Sequence, residues 1–170
     1  MRSLLLIIPI FLFSFNIKNE YLAHHYKAVC MYGVEHFQEI KKDENLLSLI
    51  GLSCVKNDSF IYLPHIINNL KHTKEARDNS VYFSLLFMEK KLLYSYIMDN
   101  TDMSYYRFPL INHPLSIVFN NITNKNFKKE GNKIIIHYKN KTYKVYKNNE
   151  AKVFIDVYQN NKLISTHWYR

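Results

Sequence analysis

Glycine, proline and cysteine are scarce in this chain of 170 residues, which has three glycines, four prolines and two cysteines. So few glycines leave no place for the glycine-rich loops that cradle nucleotide phosphates, and no G-x-S-x-G nucleophile elbow is present. There is no Cys-x-x-Cys, the motif of thioredoxin-like redox centres and of c-type haem attachment. The H-E-x-x-H zinc motif is lacking as well. We therefore expect no cofactor.

Internal repeats and catalytic carboxylate pairs are lacking too. The tetratricopeptide pattern, with its period of about 34 residues, does not occur, and neither do the recurrent Ala and Gly positions of a Sel1-like repeat. Neighbouring carboxylates occur at Asp43–Glu44 and at Asp99 and Asp102. Both sets lie at the ends of predicted helices, where capping explains them. An enzyme is therefore the less favoured interpretation.

The apolar run near the N-terminus, Leu4–Phe13, has about half of the roughly 20 residues that a membrane-spanning helix needs. It follows the positively charged Met1–Ser3 and precedes a polar stretch from Asn16, which is the arrangement of a secretory signal peptide. We predict that residues 1–14 are a signal peptide, that the mature chain begins near Phe15, and that no transmembrane span remains after removal. An uncleaved anchor and a buried strand or helix are the alternatives.

The predicted leader also decides the compartment. An exported chain enters an oxidising environment, where disulfides persist. The composition is rich in Lys, Asn, Ile and Tyr, as in proteins from AT-rich bacterial genomes, a feature of codon usage that carries no functional information. Together these observations predict a periplasmic or secreted bacterial protein.

The two cysteines, Cys30 and Cys54, lie at equal distances from Lys42, and Gly33 and Gly51 repeat that symmetry. When a turn near Lys42 joins two antiparallel helices, the cysteines lie opposite each other. A glycine one turn from each cysteine lets the helices approach to the Cα separation of a disulfide, about 4.4–6.8 Å. We predict a Cys30–Cys54 disulfide with close helix packing at both glycines. Two buried free thiols, or a catalytic or metal role, are the alternatives.

The spacing of apolar residues predicts an α+β fold, in which an N-terminal disulfide-linked helical array precedes a four-stranded antiparallel β-meander. The helical region covers residues 15–124, and the meander, residues 125–170, packs on it to form one compact domain. Asn120–Asn132 is a predicted polar linker. Steps of three and four residues predict helices at about 20–41, 44–55, 60–70, 75–98 and from Pro114 onward.

Alternating apolar residues and two-residue turns predict the strands of the meander, at Lys133–Tyr138, Lys141–Lys147, Ala151–Gln159 and Lys162–Tyr169. The turns imply one apolar face, built from the pairs Ile134–Val145, Ile136–Tyr143, Val153–Trp168 and Val157–Ile164. The opposite, wetter face is predicted to carry His137, Lys144, Asp156 and His167.

Lys and Arg outnumber Asp and Glu by 23 to 14, a net charge of +9. The acidic neighbours of a basic exported protein include other envelope proteins, acidic surface polymers and lipid headgroups. Lysines alternate with Tyr138, Tyr143 and Tyr146, as in surfaces that bind single-stranded nucleic acid. An amphipathic sheet with a solvated lysine face explains the pattern better, so nucleic acid is a disfavoured partner. A basic surface without a specific partner is the alternative.

His137, Asp156 and His167 are the candidate metal or ligand site, because they share the polar face of the predicted sheet. They offer mixed nitrogen and oxygen ligands. The prediction depends on strand register, since a slip of one residue moves a side chain to the other face.

Tyr105, Tyr106, Arg107 and Phe108 are a candidate interaction surface, although this segment could instead cover the junction between helices and sheet. We expect an exported, non-catalytic envelope protein that acts through protein–protein or surface contacts. The alternative is a small periplasmic enzyme or a metal- or ligand-binding protein that uses the histidine-bearing face of the sheet. Polyanion binding is a third hypothesis.

Overall fold

A computed structural model describes residues 15–170 and combines helices with an antiparallel sheet, so the predicted α+β class is confirmed. The predicted signal peptide lies outside the described residues. The helices are α1 (Ile17–Leu22), α2 (Tyr26–Glu35), α3 (Phe37–Ile40), α4 (Glu44–Lys56), α5 (Leu63–Ile67), α6 (Lys74–Asp99) and α7 (Pro114–Thr123), with a 3₁₀ turn at Phe60–Tyr62. The strands are β1 (Lys128–Glu130), β2 (Lys133–Tyr138), β3 (Lys141–Lys147), β4 (Val153–Gln159) and β5 (Lys162–Tyr169).

The predicted helix from Glu20 to Lys41 is divided into α1, α2 and α3. Asn16 starts α1, because its side chain accepts a hydrogen bond from the backbone N–H of Asn19. His24 adopts a left-handed conformation with φ 61°, which ends the helical path between α1 and α2. The periodic pattern continues across this break, so apolar spacing alone could not show it.

The predicted Cys30–Cys54 disulfide is present and joins α2 to α4, with the Cα atoms 4.9 Å apart. Ile50 of α4 occupies the space that a Cβ on Gly33 would need, so this glycine lets α2 and α4 approach. Gly51 lies instead against the ring of Phe83 on α6. Helix α4 contacts both α2 and α6, and the two glycines therefore serve two different helix interfaces.

Helix α6 begins at Thr73, whose side chain accepts from the N–H of Ala76. The loop before it is held by Glu44 at the start of α4, whose carboxylate accepts from the backbone N–H groups of Lys71, His72 and Thr73. These backbone hydrogen bonds lower the pKa of Glu44 to about 2. A residue at the first turn of one helix thus fixes the entry to the longest helix.

The sheet has five strands in the order β1-β2-β3-β4-β5, so the predicted four-stranded meander is wrong by one strand. The additional strand β1 lies in the segment predicted as a polar linker. All three of its residues are exposed, and a polar edge strand leaves no apolar alternation in the sequence. It forms because Gly131, with φ +56°, turns the chain so that Glu130 pairs with Lys133.

The predicted register between β2 and β3 is confirmed, but that between β4 and β5 is wrong. A β-bulge follows the Tyr158–Leu163 pair, and the next pair is Val157–Ser165 rather than Val157–Ile164. One extra residue moves every later side chain of the strand to the other face. Val153 consequently pairs with Tyr169, and Trp168 points outward.

The inner face of the sheet is defined here by the apolar side chains of β2, β3 and β4 that join the same buried cluster as the helices: Ile134, Ile136, Tyr143, Val145, Val153, Ile155 and Val157. Tyr169 extends this cluster and stacks on Phe60, with ring centroids 5.3 Å apart. Within residues 15–170, no helix is both long enough and apolar enough to cross a membrane. The opposite side of the sheet is the outer face. Its large side chains, such as those of Tyr146, Phe154 and Trp168, do not belong to the buried cluster.

Candidate binding surface on the sheet

The outer face carries a row of aromatic side chains across three adjacent strands. Tyr146 on β3 pairs with Phe154 on β4, which pairs with Trp168 on β5. The rings of Tyr146 and Phe154 stack with centroids 5.4 Å apart and planes 11° apart. Trp168, the only tryptophan in the chain, is 48% exposed. Cross-strand pairing therefore builds a flat aromatic surface that solvent can reach.

Lysine ammonium groups lie over the aromatic rings of this face. The Nζ atom of Lys133 is 5.0 Å from the ring centroid of Tyr146, and that of Lys152 is 5.1 Å from Trp168. Lys144 lies 4.5 Å from the ring of Tyr158. A cation within about 6 Å of a ring face is attracted by the ring quadrupole. These contacts hold positive charge close to the aromatic surface.

Asp156 is the carboxylate in the middle of the outer face, and its oxygens are already occupied. It accepts hydrogen bonds from the hydroxyls of Tyr146, at 3.0 Å, and Thr166, at 2.7 Å. Burial, followed by the interaction with Asp156, raises the pKa of Tyr146. Lys144 is the cross-strand neighbour of Asp156. The carboxylate thus links hydroxyls of β3 and β5 across this face, and it forms no ion pair with a lysine among residues 15–170.

The net charge of the chain is concentrated in the sheet. Residues 125–170 contain eleven Lys and Arg against three Asp and Glu, a net charge of +8. Residues 1–124 contain twelve against eleven, a net charge of +1. The helices are therefore close to neutral, and the positive potential belongs to the strands and their turns.

The three predicted metal ligands are not brought together. The Nδ1 atom of His137 lies 3.0 Å from Oγ1 of Thr142. Asp156 accepts hydrogen bonds from the hydroxyls of Tyr146 and Thr166. The β-bulge turns His167 to the inner side, where it pairs with Ile155. Among residues 15–170, no group of three or more His, Cys, Asp or Glu side chains is placed to hold a metal ion.

His167 belongs instead to a hydrogen-bonded network that the sequence pattern did not reveal. Its Nδ1 lies 3.0 Å from Oδ2 of Asp58, and its Nε2 lies 3.1 Å from Oγ of Ser165. The hydroxyl of Tyr169 also donates to Asp58, at 3.1 Å. Burial, and then the Asp58 carboxylate, raises the pKa of Tyr169 well above its ordinary value. Asp58 follows α4 and is more than 100 residues away along the chain, so no local motif could indicate this contact.

The predicted interaction surface divides into an exposed part and an anchored part. Tyr105 is 86% exposed. Phe108 stacks on Phe119 of α7, with centroids 5.3 Å apart. The guanidinium of Arg107 donates to the backbone carbonyls of Ser104 and Tyr106, which fixes the loop. That Tyr105, Tyr106, Arg107 and Phe108 form a contact surface stays a prediction.

In comparisons with known proteins, no family model, curated protein or solved structure matches this chain. The chemistry of the outer face is therefore what indicates a function.

Proposed function

We propose that the protein is an exported, non-catalytic envelope protein that binds an acidic partner through the outer face of its sheet. The observation that carries the proposal is the charge distribution, a net +8 within 46 residues that form one sheet, beside a nearly neutral helical part. Export is supported by the leader-like N-terminal sequence and by the disulfide.

The geometry of the outer face suits a partner that carries negative charge on an extended surface. The ammonium groups of Lys133 and Lys144 lie over aromatic rings and form no ion pair within residues 15–170, which leaves them available to an anion. Aromatic rings beside them offer flat contact area that needs little side-chain ordering. The partner proposed is another envelope protein with an acidic surface; an acidic surface polymer and lipid headgroups share the same chemistry. The exposed Tyr105 loop is a second contact surface in this proposal.

Retention on heparin, a generic polyanion, tests whether the lysines of the outer face bind an acidic partner. We expect a Lys128→Gln, Lys133→Gln, Lys144→Gln variant to elute at lower salt than the wild type. The slope of log affinity against log salt should fall in magnitude by about 2 to 3, because each of the three lost contacts removes about 0.7–0.9 of a released counterion. The matched control is Lys18→Gln, Lys71→Gln, Lys91→Gln, which has the same net charge but changes exposed lysines of the helical part.

Equal losses in the two triple variants would contradict the proposal, because they would show that net charge alone causes retention. Circular dichroism of both variants shows whether the sheet is intact. The same pair of variants then tests binding to vesicles with and without anionic lipid, which separates lipid headgroups from polymeric partners.

A second candidate function, a hydrolase, is favoured by one observation. The hydrogen bonds Asp58–His167–Ser165 have the order of a catalytic relay, in which an acid orients an imidazole and the imidazole accepts a proton from a serine. A fluorophosphonate probe would then label the wild type and the Ser104→Ala control but not Ser165→Ala. Absence of labelling in the wild type would assign these contacts to structure alone, as a link between α4 and the edge strand β5.

A further inference from the structure

A second feature lies beside the edge strand β5, where the loop after α4 meets α6 and the end of β5. A cavity of about 540 Å³ opens here, and its lining includes the apolar residues Met31, Phe60 and Trp168. Three basic residues, Lys27, Lys90 and Arg170, also line it. Ligand sites typically have volumes of about 300–1,000 Å³ and combine apolar walls with a few polar groups.

Lys90 is the unusual member of this lining. Its side chain is among the buried residues of the molecule, with 6% of its surface exposed. None of the ion pairs within residues 15–170 includes it, and residues 1–14 contain no Asp or Glu. Burial, followed by repulsion from Lys91, lowers its pKa. The Nζ of Lys90 is not among the fully buried polar atoms without a partner, so solvent still reaches the ammonium through the small exposed part of the side chain. A partly desolvated ammonium without an anionic partner is nevertheless costly in free energy.

The carboxylate that lines the cavity does not compensate Lys90. Asp58 accepts hydrogen bonds from the hydroxyl of Tyr169 and lies 3.0 Å from Nδ1 of His167. Its two oxygens are therefore directed at β5. Three basic residues and one committed carboxylate line the cavity, so its lining carries an excess of positive charge beside apolar residues.

We propose that this cavity is a binding site for an organic anion, a carboxylate or phosphate group carried on an apolar body, with the anionic group on Lys90. The apolar body contacts Met31, Phe60 and Trp168, while Lys27 and Arg170 lie at the basic rim. Such a ligand gives the amine of Lys90 an anionic partner and covers apolar surface in the same step. The chemistry is shared by small amphipathic acids and by the C-terminal carboxylate of an apolar peptide.

The test uses the fluorescence of Trp168, because the single tryptophan of the chain lines the cavity. Decanoate and decyl phosphate are expected to change its emission in a saturable manner. Decanol has a similar apolar body without charge and acetate has the charge without the body, and both should bind at least about tenfold more weakly, the loss that one unmade charged contact of about 1.4 kcal/mol produces. An apolar pentapeptide with a free C-terminus, compared with its C-terminal amide, distinguishes a peptide source from a small-molecule source.

Lys90→Met is the decisive variant, and Lys91→Met is its matched control at the next, exposed position of α6. We expect Lys90→Met to weaken decanoate binding at least tenfold and to require more urea for unfolding, because it removes a desolvated amine. Lys91→Met should bind as the wild type does, and neither variant should alter retention on heparin beyond the effect of one charge. If Lys90→Met does not fold, Arg170→Gln provides the same comparison.

The proposal is overturned if Lys90→Met and Lys91→Met bind decanoate equally, or if decanol binds as tightly as decanoate. It is also overturned if neither the acids nor the peptide with a free carboxylate changes the emission of Trp168. Binding of the peptide alone supports the site and assigns its ligand to a polypeptide.

Discussion

Replacing both cysteines by alanine is expected to lower the free energy of unfolding by at least about 3 kcal/mol, which is the loop-closure value alone for a separation of 24 residues. Cys30 and Cys54 are fully buried, so the lost sulfur atoms add a packing defect to the lost cross-link. A small domain has a total stability of about 5–15 kcal/mol. The change therefore removes a substantial share of it. Urea unfolding followed by circular dichroism measures the loss.

The wild type in reducing buffer is the control for this prediction, because it loses the cross-link without losing the sulfur atoms. It should also show a steeper dependence on urea, since a chain without the cross-link exposes more surface when unfolded. Equal midpoints for the oxidised and reduced wild type would contradict a stabilising role for the disulfide. Mass spectrometry without reduction identifies the Cys30–Cys54 bridge directly.

The second large effect concerns Glu89, a fully buried carboxyl on α6. Its Oε1 accepts from the hydroxyl of Ser116 at 2.9 Å, whereas Oε2 has no hydrogen-bond partner among the described residues. Burial raises the pKa of Glu89 from 4.5 to about 7, against a smaller lowering by Ser116. The folded protein therefore keeps this proton at pH values where the unfolded chain has released it.

The sign of the pH dependence follows from this difference in proton binding. The stabilising contribution is complete below pH 4.5, decreases as the pH rises, and is lost above pH 7. At about 1.4 kcal/mol per pKa unit, the total change is about 3 kcal/mol. Glu89→Gln keeps an acceptor for Ser116 and cannot ionise, so its stability should exceed that of the wild type by about this amount at pH 8 and equal it near pH 4.

Unfolding curves of the wild type and Glu89→Gln between pH 4 and 8 check this prediction. The difference between them isolates Glu89 from other titrating groups. His113 has the opposite effect, because burial, then the charges of His167 and Lys56, lowers its pKa to about 3. Its contribution to stability is therefore lost as the pH falls from 6.5 towards 3. A stability difference between the wild type and Glu89→Gln that stays constant with pH would contradict the assignment to Glu89. Glu75→Gln, at an exposed position, is the control.

Several features of the fold could be predicted because their chemistry is local. The Asn160–Asn161 turn has φ angles of 51° and 61°, as expected of the asparagines in a type I′ hairpin. Pro114 begins α7 behind His113, whose Nδ1 accepts from the N–H of Leu115. The disulfide could be predicted from symmetric spacing about one turn. In each case the residues on which the prediction depends lie in one turn or on two neighbouring elements.

The candidate sites were predicted less well, because they depend on contacts between distant parts of the chain. The bulge that separates His167 from His137 is one extra residue in an edge strand, and the pattern of β5 fits both registers. In the observed register His167 and Tyr169 both bond to Asp58, a contact that no local pattern encodes. Lys90 is an ordinary helical lysine in the sequence, and only the tertiary structure buries it, in the lining of a cavity beside the end of β5 and the loop after α4.

The amino-acid sequence by itself determined the α+β class, the main helices, the two hairpin turns and the cysteine pair. Each of these rests on periodicity, capping or turn chemistry within short segments. The tertiary structure alone decided the fifth strand, the inward position of His167, the aromatic row beneath the lysines and the enclosure of Lys90 and Glu89. The reason is physical: burial and strand register are properties of surfaces that meet, and those surfaces come from residues far apart in the chain.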